Sequence, residues 1–408
     1  MPPAAKNKLH PVEQNYWFVL GREPLLSAAE IIAVAEPADF ELLPPLLKFR
    51  ADCDPLDLIS RLGGTIKIGK ELAANISEQK MIEAILDELR TIGGKINFGI
   101  SLYGAAEPAE RQVMNWGKQI KELLKKGGRS VRYVFSAKGG SAFGGKNEAI
   151  LSSVTVSKNG LDKRGREFLI SLKNKTFSVA KTLVVQPFEE WGKRDFGRPG
   201  RDDQSGMLPP KLALIVLNLA KVNKDAIVLD PFCGSGTILT EALVNGYKNI
   251  IGSDISEKAV ADTKKNLNWI NKNTDIQFNV FQSAISDLPK KIPCQSIDAI
   301  VTEPYLGKPL RGRETKLELE RQITELKKLY LTSFQIFHEL LKPGGKVVCV
   351  IPRFKVRNEW LAMNCLEEIK KIGFTPLALL PGRDYLLYHR PGQYVGREIW
   401  RFENTDLN

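Results

Sequence analysis

From residue 207 onward the chain alternates short apolar runs with amphipathic stretches, and this constrains its fold more than any other feature. "LPPKLALIVLNLAKV" has a helical pattern and "AIVLDP" a strand pattern. "TILTEALVNG" reads as a helix with Gly246 past its end, and "NIIGSD" as a strand. Ser256 caps the helix "SEKAVADTKKNLNWI", after which "IQFNVFQ" and "SIDAIVTEP" are strands. The long helix "ELERQITELKKLYLTSFQIFHELL" stops at Pro343-Gly344-Gly345, before the strand "KVVCVIP". Strands separated in this way by helices build a doubly wound parallel sheet, an α/β Rossmann-like fold. Ligands of such sheets bind beyond the carboxyl ends of the strands.

The first strand-to-helix turn is "VLDPFCGSGTIL", residues 228–239. Gly234 and Gly236 allow backbone to come close to a ligand, and Asp230 stands at the strand tip. Asp254 ends the second strand, where a carboxylate can accept both hydroxyls of a ribose. Two cofactor classes fit this much. A dinucleotide wants a third glycine where Leu239 stands, and helix amides for pyrophosphate. S-adenosyl-L-methionine has no phosphates, and its cationic amino-acid end suits Asp230. The candidate cofactor residues are Asp230, Phe232, Cys233, Gly234, Ser235, Gly236, Thr237, Asp254, Ile255 and Ser283, the last in "FQSAISDL" after the third strand.

The fourth strand ends in Thr302-Glu303-Pro304-Tyr305. A carboxylate, a rigid proline and an aromatic ring at one strand tip are more than a turn requires. Glu303 and the carbonyl of Pro304 can accept hydrogen bonds from a ligand there, and the ring of Tyr305 can stack on a flat one.

The N-terminal half has a different character. Residues 1–92 read as a small ferredoxin-like α+β unit of order βαββαβ, counting "KINFGISLYG" as its last strand. Residues 93–187 carry the basic helix "AERQVMNWGKQIKELLKKGG" and later strands. Residues 188–206 are a polar connector, and 207–408 form the α/β domain. Eight basic side chains lie between Gly117 and Asn147: Lys118, Lys121, Lys125, Lys126, Arg129, Arg132, Lys138 and Lys146, with Glu122 the one acid among them. With a net charge of +12, this surface suits phosphates. The connector arginines Arg194, Arg198 and Arg201 could clamp RNA, close over a cofactor, or be neutralised by Asp195, Asp202 and Asp203. Arg353 and Arg383, beyond late strands, could line a pocket mouth, whereas His389 reads as structural.

Five cysteines without CxxC spacing and three histidines argue against a Cys/His zinc site and fit a reducing cytoplasm. No apolar stretch is long enough to span a membrane, and "MPPAAKNKLHPVEQNYW" does not read as a signal peptide.

"DPFCGSGT" followed by "TEPYLG" resembles the amino-methyltransferase branch of S-adenosylmethionine enzymes. "LGREPLLSAAEI" and "RLGGTIKI" look like the N-terminal domain of the tRNA guanine-10 N2-methyltransferase family, and "KKGGRSVRYV" and "LSSVTVSKNGL" like its THUMP domain. "KRDFGRPGRDDQSGMLPPKLA" and "YHRPGQYVGREIW" resemble further segments of that family. The resemblance implies a THUMP-like RNA-binding region at 93–187 and S-adenosyl-L-methionine as cofactor. It implies methyl transfer to an exocyclic amine, guanine N2 in tRNA, with Glu303, Pro304 and Tyr305 as the catalytic residues, no metal, and an activator protein left open. Two features depart from the family: Glu303-Pro304-Tyr305-Leu306 replaces Asp-Pro-Pro-Tyr, and Ser283 stands where an acid usually meets the adenine amino group. The alternatives are a DNA amino-methyltransferase and a noncatalytic RNA-binding protein with a decayed site.

Overall fold

The computed structural model describes residues 13–104, 109–135, 149–201, 207–271, 276 and 278–405. Two compact units emerge. One comprises the chain up to Pro24 together with Glu36–Phe188; the other comprises Leu25–Ala35 and Glu189–Asn408.

The first unit is built on one eight-stranded sheet. Its strands are β1 (Gln14–Leu20), β2 (Glu41–Leu43), β3 (Leu46–Ala51), β4 (Thr65–Ile76), β5 (Ile96–Tyr103), β6 (Val131–Val134), β7 (Arg166–Lys173) and β8 (Thr176–Val185), in the order β2-β3-β1-β4-β8-β7-β5-β6. The sheet therefore runs through both segments that the sequence separates at residue 92. β5, expected as the last strand of a ferredoxin-like unit, instead pairs parallel with β6 and β7. The helix Ala109–Lys126 makes the crossover that a parallel β5–β6 pair requires. Its apolar stripe of Val113, Trp116, Ile120 and Leu124 joins Met81, Ile85 and Leu89 of helix Glu78–Arg90 over β5, β7 and β8. Ser77 caps the latter helix through Lys80 N.

A polar knot is buried in this sheet. Glu167 on β7 accepts from Lys67 Nζ on β4 at 2.5 Å, Ser101 Oγ on β5 at 2.7 Å and Thr182 Oγ1 on β8 at 2.7 Å. Lys67 also donates to the Leu151 carbonyl at 2.6 Å. The side chains of Lys67 and Glu167 are 1% and 0% exposed.

The second unit is an α/β sheet of nine strands: β9 (Ile227–Asp230), β10 (Asn249–Asp254), β11 (Phe278–Gln282), β12 (Ile297–Thr302), β13 (Leu341–Val356), β14 (Glu359–Ala362), β15 (Phe374–Pro376), β16 (Tyr385–Tyr388) and β17 (Val395–Asn404). The order is β11-β10-β9-β12-β13-β17-β15, with β14 on β13 and β16 on β17. Pairing is parallel from β11 to β13, as the alternation requires. Beyond β13 it becomes antiparallel, because β17 returns between β13 and β15. The reversal of order at β9 places the glycine loop and the tip of β12 side by side, where such sheets bind ligands.

Two segments depart from their sequence assignment. Leu25–Ala35, expected within the first α+β unit, belongs to the second unit. The helix Pro24–Ala35 buries Leu26, Ser27, Ala28, Ala29, Glu30 and Ile31 in a row, and a helix buried this far round behaves as core. Its Glu30 accepts from Asn218 Nδ2 at 2.8 Å. The connector is also not irregular throughout. Phe188–Phe196 is helical, with Glu189 and Glu190 in the first turn and Lys193 and Arg194 in the last, an arrangement that complements the helix dipole. No helix among the described residues is long and apolar enough to cross a membrane.

Candidate active site

The glycine loop is held from beneath. Cys233 N donates to Ser253 O at 2.9 Å, and Gly236 N to Cys233 O at 2.7 Å. From helix Glu257–Ile270, Thr263 Oγ1 reaches Gly234 O at 2.7 Å and Asn266 Nδ2 reaches Ser235 O at 2.8 Å. Gly236 has φ +79° and opens helix Thr237–Val244; a Cβ there would stand 2.7 Å from Thr263 Cγ2, so only glycine fits. Gly234, at φ +52°, instead faces open space. The loop is thus pinned on its inner side and bare on its outer side, as a backbone cradle for a ligand must be.

Carboxylates flank that cradle. Asp254 accepts from Gly234 N and Ser256 N, each at 2.9 Å, which fixes its carboxylate at the β10 tip with lone pairs to spare. Ile255 beside it is 72% exposed. Ser283 N bonds the Asp254 carbonyl at 3.0 Å, tying β11 to β10, while its hydroxyl donates to Ala284 O at 3.1 Å. Asp230 is buried at the β9 tip and accepts from Thr302 Oγ1 at 2.7 Å and Phe232 N at 3.2 Å. Burial pushes its carboxyl up to about 7. The bonds from Thr302 and Phe232 oppose that rise, and the charges of Asp254 and Glu303 add to it. Cys233 is buried, and burial raises its thiol well above the ordinary range. The chemistry of these groups fits S-adenosyl-L-methionine: two carboxylates, Asp230 and Asp254, that would accept from an ammonium and from ribose hydroxyls, and an exposed apolar Ile255 that would cover an adenine ring.

Glu303 follows β12 directly. Its Oε1 accepts from Arg397 Nε at 2.6 Å, and Oε2 lies 3.5 Å from Arg397 Nη2. Pro304 is buried and Tyr305 is 55% exposed, its ring available for stacking. The Tyr330 hydroxyl reaches Val350 O at 3.1 Å and Tyr305 O at 3.5 Å, securing the turn. Local sequence patterns do not reveal Arg397, because it lies far along the chain on a strand that returns antiparallel. Thr302, Thr263 and Asn266 escape for a related reason: each serves the loop from another element.

The basic candidates are spread over different surroundings. Lys125, Lys126 and Arg132 are exposed in the first unit, and Lys125 is 3.7 Å from Glu122. Arg129 donates to Ile92 O and Gly94 O, so part of its fork serves the fold. Lys138, Lys146, Asp202 and Asp203 lie outside the described residues. In the second unit Arg194 stacks on Trp191 at 4.2 Å and pairs with Glu241 at 2.8 Å. Arg198 is buried with Nη1 2.6 Å from Thr237 Oγ1, which puts it at the glycine loop rather than on a surface. Arg201 is exposed and donates to Phe196 O at 3.1 Å. Arg353 lines a cavity of about 230 Å³ with Tyr385, Glu398 and Trp400. Arg397 and Glu398 are consecutive on β17 and point to opposite faces, so this cavity is not the space at Glu303. Arg383 is exposed in a turn, and the His389 ring packs edge-on to Trp360.

Comparisons with known proteins agree with this geometry. Residues 198–373 match the RMKL-like methyltransferase domain. A tRNA (guanine(10)-N2)-dimethyltransferase of Methanothermobacter thermautotrophicus is 32% identical over 211 residues, 50% of this chain and 56% of the relative. The matched part thus spans about half the length of that relative. The enzyme of the same name from Pyrococcus abyssi is 24% identical over 92% of this chain and 95% of its own. The crystal structure of TrmN from Thermus thermophilus superposes with a TM-score of 0.53 at 18% identity, covering 96% of this chain and 99% of that one, so the overall fold is shared. The matched residues 198–373 contain both the glycine loop and the β12 tip, so the likeness to the RMKL-like methyltransferase domain includes the candidate site itself.

Proposed function

We propose that this protein is an S-adenosyl-L-methionine-dependent RNA methyltransferase acting on an exocyclic base amine, guanine N2 in tRNA. One observation carries this reading: an acid-proline-aromatic tip, Glu303-Pro304-Tyr305, stands beside a glycine loop flanked by Asp230 and Asp254, and Thr302 links the tip to Asp230 at 2.7 Å. The names of the relatives support guanine N2 and tRNA. We take 93–187 as a THUMP-like RNA-binding region whose exposed Lys125, Lys126 and Arg132 meet phosphates, and place the enzyme in the cytoplasm. A base inside a stem must be extruded to reach such a tip.

Asp230, the 233–237 backbone and Asp254 would hold S-adenosyl-L-methionine, which would supply an electrophilic methyl on a sulfonium. Glu303 and the Pro304 carbonyl accept from the amine and direct its lone pair along the normal of the base. Transfer of that methyl would leave the C–S electron pair on sulfur, so nitrogen is the atom that must shed a proton. The surplus N–H proton passes to Glu303 and from there to water. Tyr305 fixes the plane of the base.

The test offers tRNA, ribosomal RNA and DNA separately with labelled methyl donor, and digests the products to nucleosides. Label in N2-methylguanosine from tRNA supports the proposal. Label confined to DNA or to another nucleoside replaces the substrate. No label together with no cofactor binding leaves an RNA-binding relic.

Cofactor affinity should also depend on pH. Asp230 binds a cationic amino group as a carboxylate, and its carboxyl sits at about 7. The Kd is expected to rise as pH falls through 7, by about tenfold at pH 6, and to lose this dependence in Asp230→Asn. The sign for folding is opposite. A carboxyl raised from 3.8 to about 7 contributes stability below its ordinary value that is lost as pH rises to 7. Calorimetric titration across pH 6–8 checks the first expectation; a flat Kd would exclude Asp230 as the ammonium partner.

A further inference from the structure

We propose that the Glu303–Arg397 pair selects the base: Arg397 fixes the plane of the Glu303 carboxylate, which admits an amine beside a ring N–H and rejects an amine beside a bare ring nitrogen. This deepens the methyltransferase reading and rests on it.

The geometry is that of an aimed acceptor. The two side chains are 11% and 13% exposed, so water does little to rearrange them. Each comes from a strand end that the sheet fixes. Thr302, just before Glu303, pairs with Cys349 on β13, and Arg397 pairs with Pro352 on the same strand. Behind Arg397, Tyr388 pairs with it across β16–β17, its ring 6.0 Å from the guanidinium carbon, and receives a bond from Arg390 Nε at 2.9 Å. Arg397 takes one lone pair of Oε1 at 2.6 Å and approaches Oε2 only to 3.5 Å. This two-point contact takes the inward lone pairs of the carboxylate, and the outward lone pair of Oε2, the oxygen Arg397 holds more weakly, remains to accept from a base edge.

Guanine presents two donors on one edge. Its N1–H and one N2–H lie side by side in the ring plane and can share a single carboxylate oxygen. Contacts in that plane leave the N2 lone pair direction, normal to the ring, open to the methyl donor. In adenine and cytosine the ring nitrogen next to the amine is an acceptor. Set against a largely buried carboxylate, it would leave two acceptors facing each other without a donor, an arrangement that costs far more than a missing bond. Glutamate reaches one methylene further than aspartate, which suits an acid that must meet Arg397 and a base edge together. Arg397 is therefore a positioning residue, and Glu303 the group that reads the ring.

The experiment uses the full chain and the RNA it methylates, with the target guanine replaced by 2-aminopurine. This base keeps the 2-amine but carries a bare N1, and its fluorescence rises on unstacking, which reports extrusion independently of chemistry. Wild type is expected to methylate guanine about 10²-fold faster than 2-aminopurine, with fluorescence showing that both enter. Glu303→Gln can donate to a bare N1, and should bring the ratio below about tenfold. Arg397→Lys keeps the charge but not the fork, and should narrow the ratio without changing cofactor Kd. A wild-type ratio below about tenfold, or one unchanged in both variants at unaltered melting temperature, overturns base selection and leaves guanine methylation standing. If no RNA is methylated at guanine, the functional proposal and this inference fall together.

Discussion

Glu303→Ala is expected to lower methyl transfer to RNA by about 10²–10³-fold, the usual effect of deleting one acceptor or donor that acts on the reacting group. Cofactor Kd should stay within about twofold, because the loop contacts from Ser253, Thr263 and Asn266 do not involve Glu303. The substitution has a structural consequence of its own. It leaves Arg397 buried and without the carboxylate it now meets at 2.6 Å, which destabilises the unit. Glu303→Ala/Arg397→Met removes both charges and should recover melting temperature without recovering transfer. Single-turnover kinetics with labelled methyl, set beside calorimetry, separate the two effects. Full transfer in Glu303→Ala would remove Glu303 from the chemistry.

Part of the second unit was legible because local rules specify it. The 228–239 loop combines a strand end, two glycines and a helix start, and any chain with that order turns there; φ values of +52° and +79° at Gly234 and Gly236 are its direct result. Ser256 as cap of helix Glu257–Ile270 follows from side-chain chemistry alone. The stop of β12 at Thr302, with Glu303 just beyond, follows from the polar and proline residues that end an apolar run. What was not legible depends on partners distant in sequence. Nothing near Arg397 indicates that it meets an acid 94 residues earlier. The antiparallel return of β17 is set by which edge of β13 remains open, and that edge exists only once the sheet is formed.

The first unit shows the same limit at larger scale. β5 follows its predecessors in a pattern compatible with a closed α+β unit, yet it pairs with β6 and β7. Periodicity determines that a segment is a strand, whereas its neighbour is decided by which apolar faces can be covered together. Here helix Ala109–Lys126 brings Trp116 onto Phe177 of β8, at 5.5 Å and edge-on. Arg194 and Arg198 teach a related lesson. The sequence leaves open whether they clamp RNA, close over a cofactor or pair with the connector aspartates; Glu241 and Thr237 hold them inside the second unit, and an arginine's chain of methylenes makes that burial feasible.

Lys67→Met is expected to cost about 3–5 kcal/mol, the effect of stripping one partner from a buried ion pair. Glu167 would keep its bonds from Ser101 and Thr182 but would carry a charge at 0% exposure with no cation beside it. Leu151 O would also lose its 2.6 Å donor. Four strands, β4, β5, β7 and β8, meet at this knot, so the damage cannot be confined to an edge. For a unit of this size the loss corresponds to a melting shift of about 6–20 °C. Lys67→Met/Glu167→Gln removes the charge while retaining an acceptor and a donor, and should restore most of that shift; replacing buried pairs by neutral groups is often close to neutral, unlike breaking them. Calorimetry on the single and double variants decides the matter. A Lys67→Met protein melting within about 2 °C of wild type would mean that water or another group reaches Glu167, and that the knot is not the closed network its distances describe.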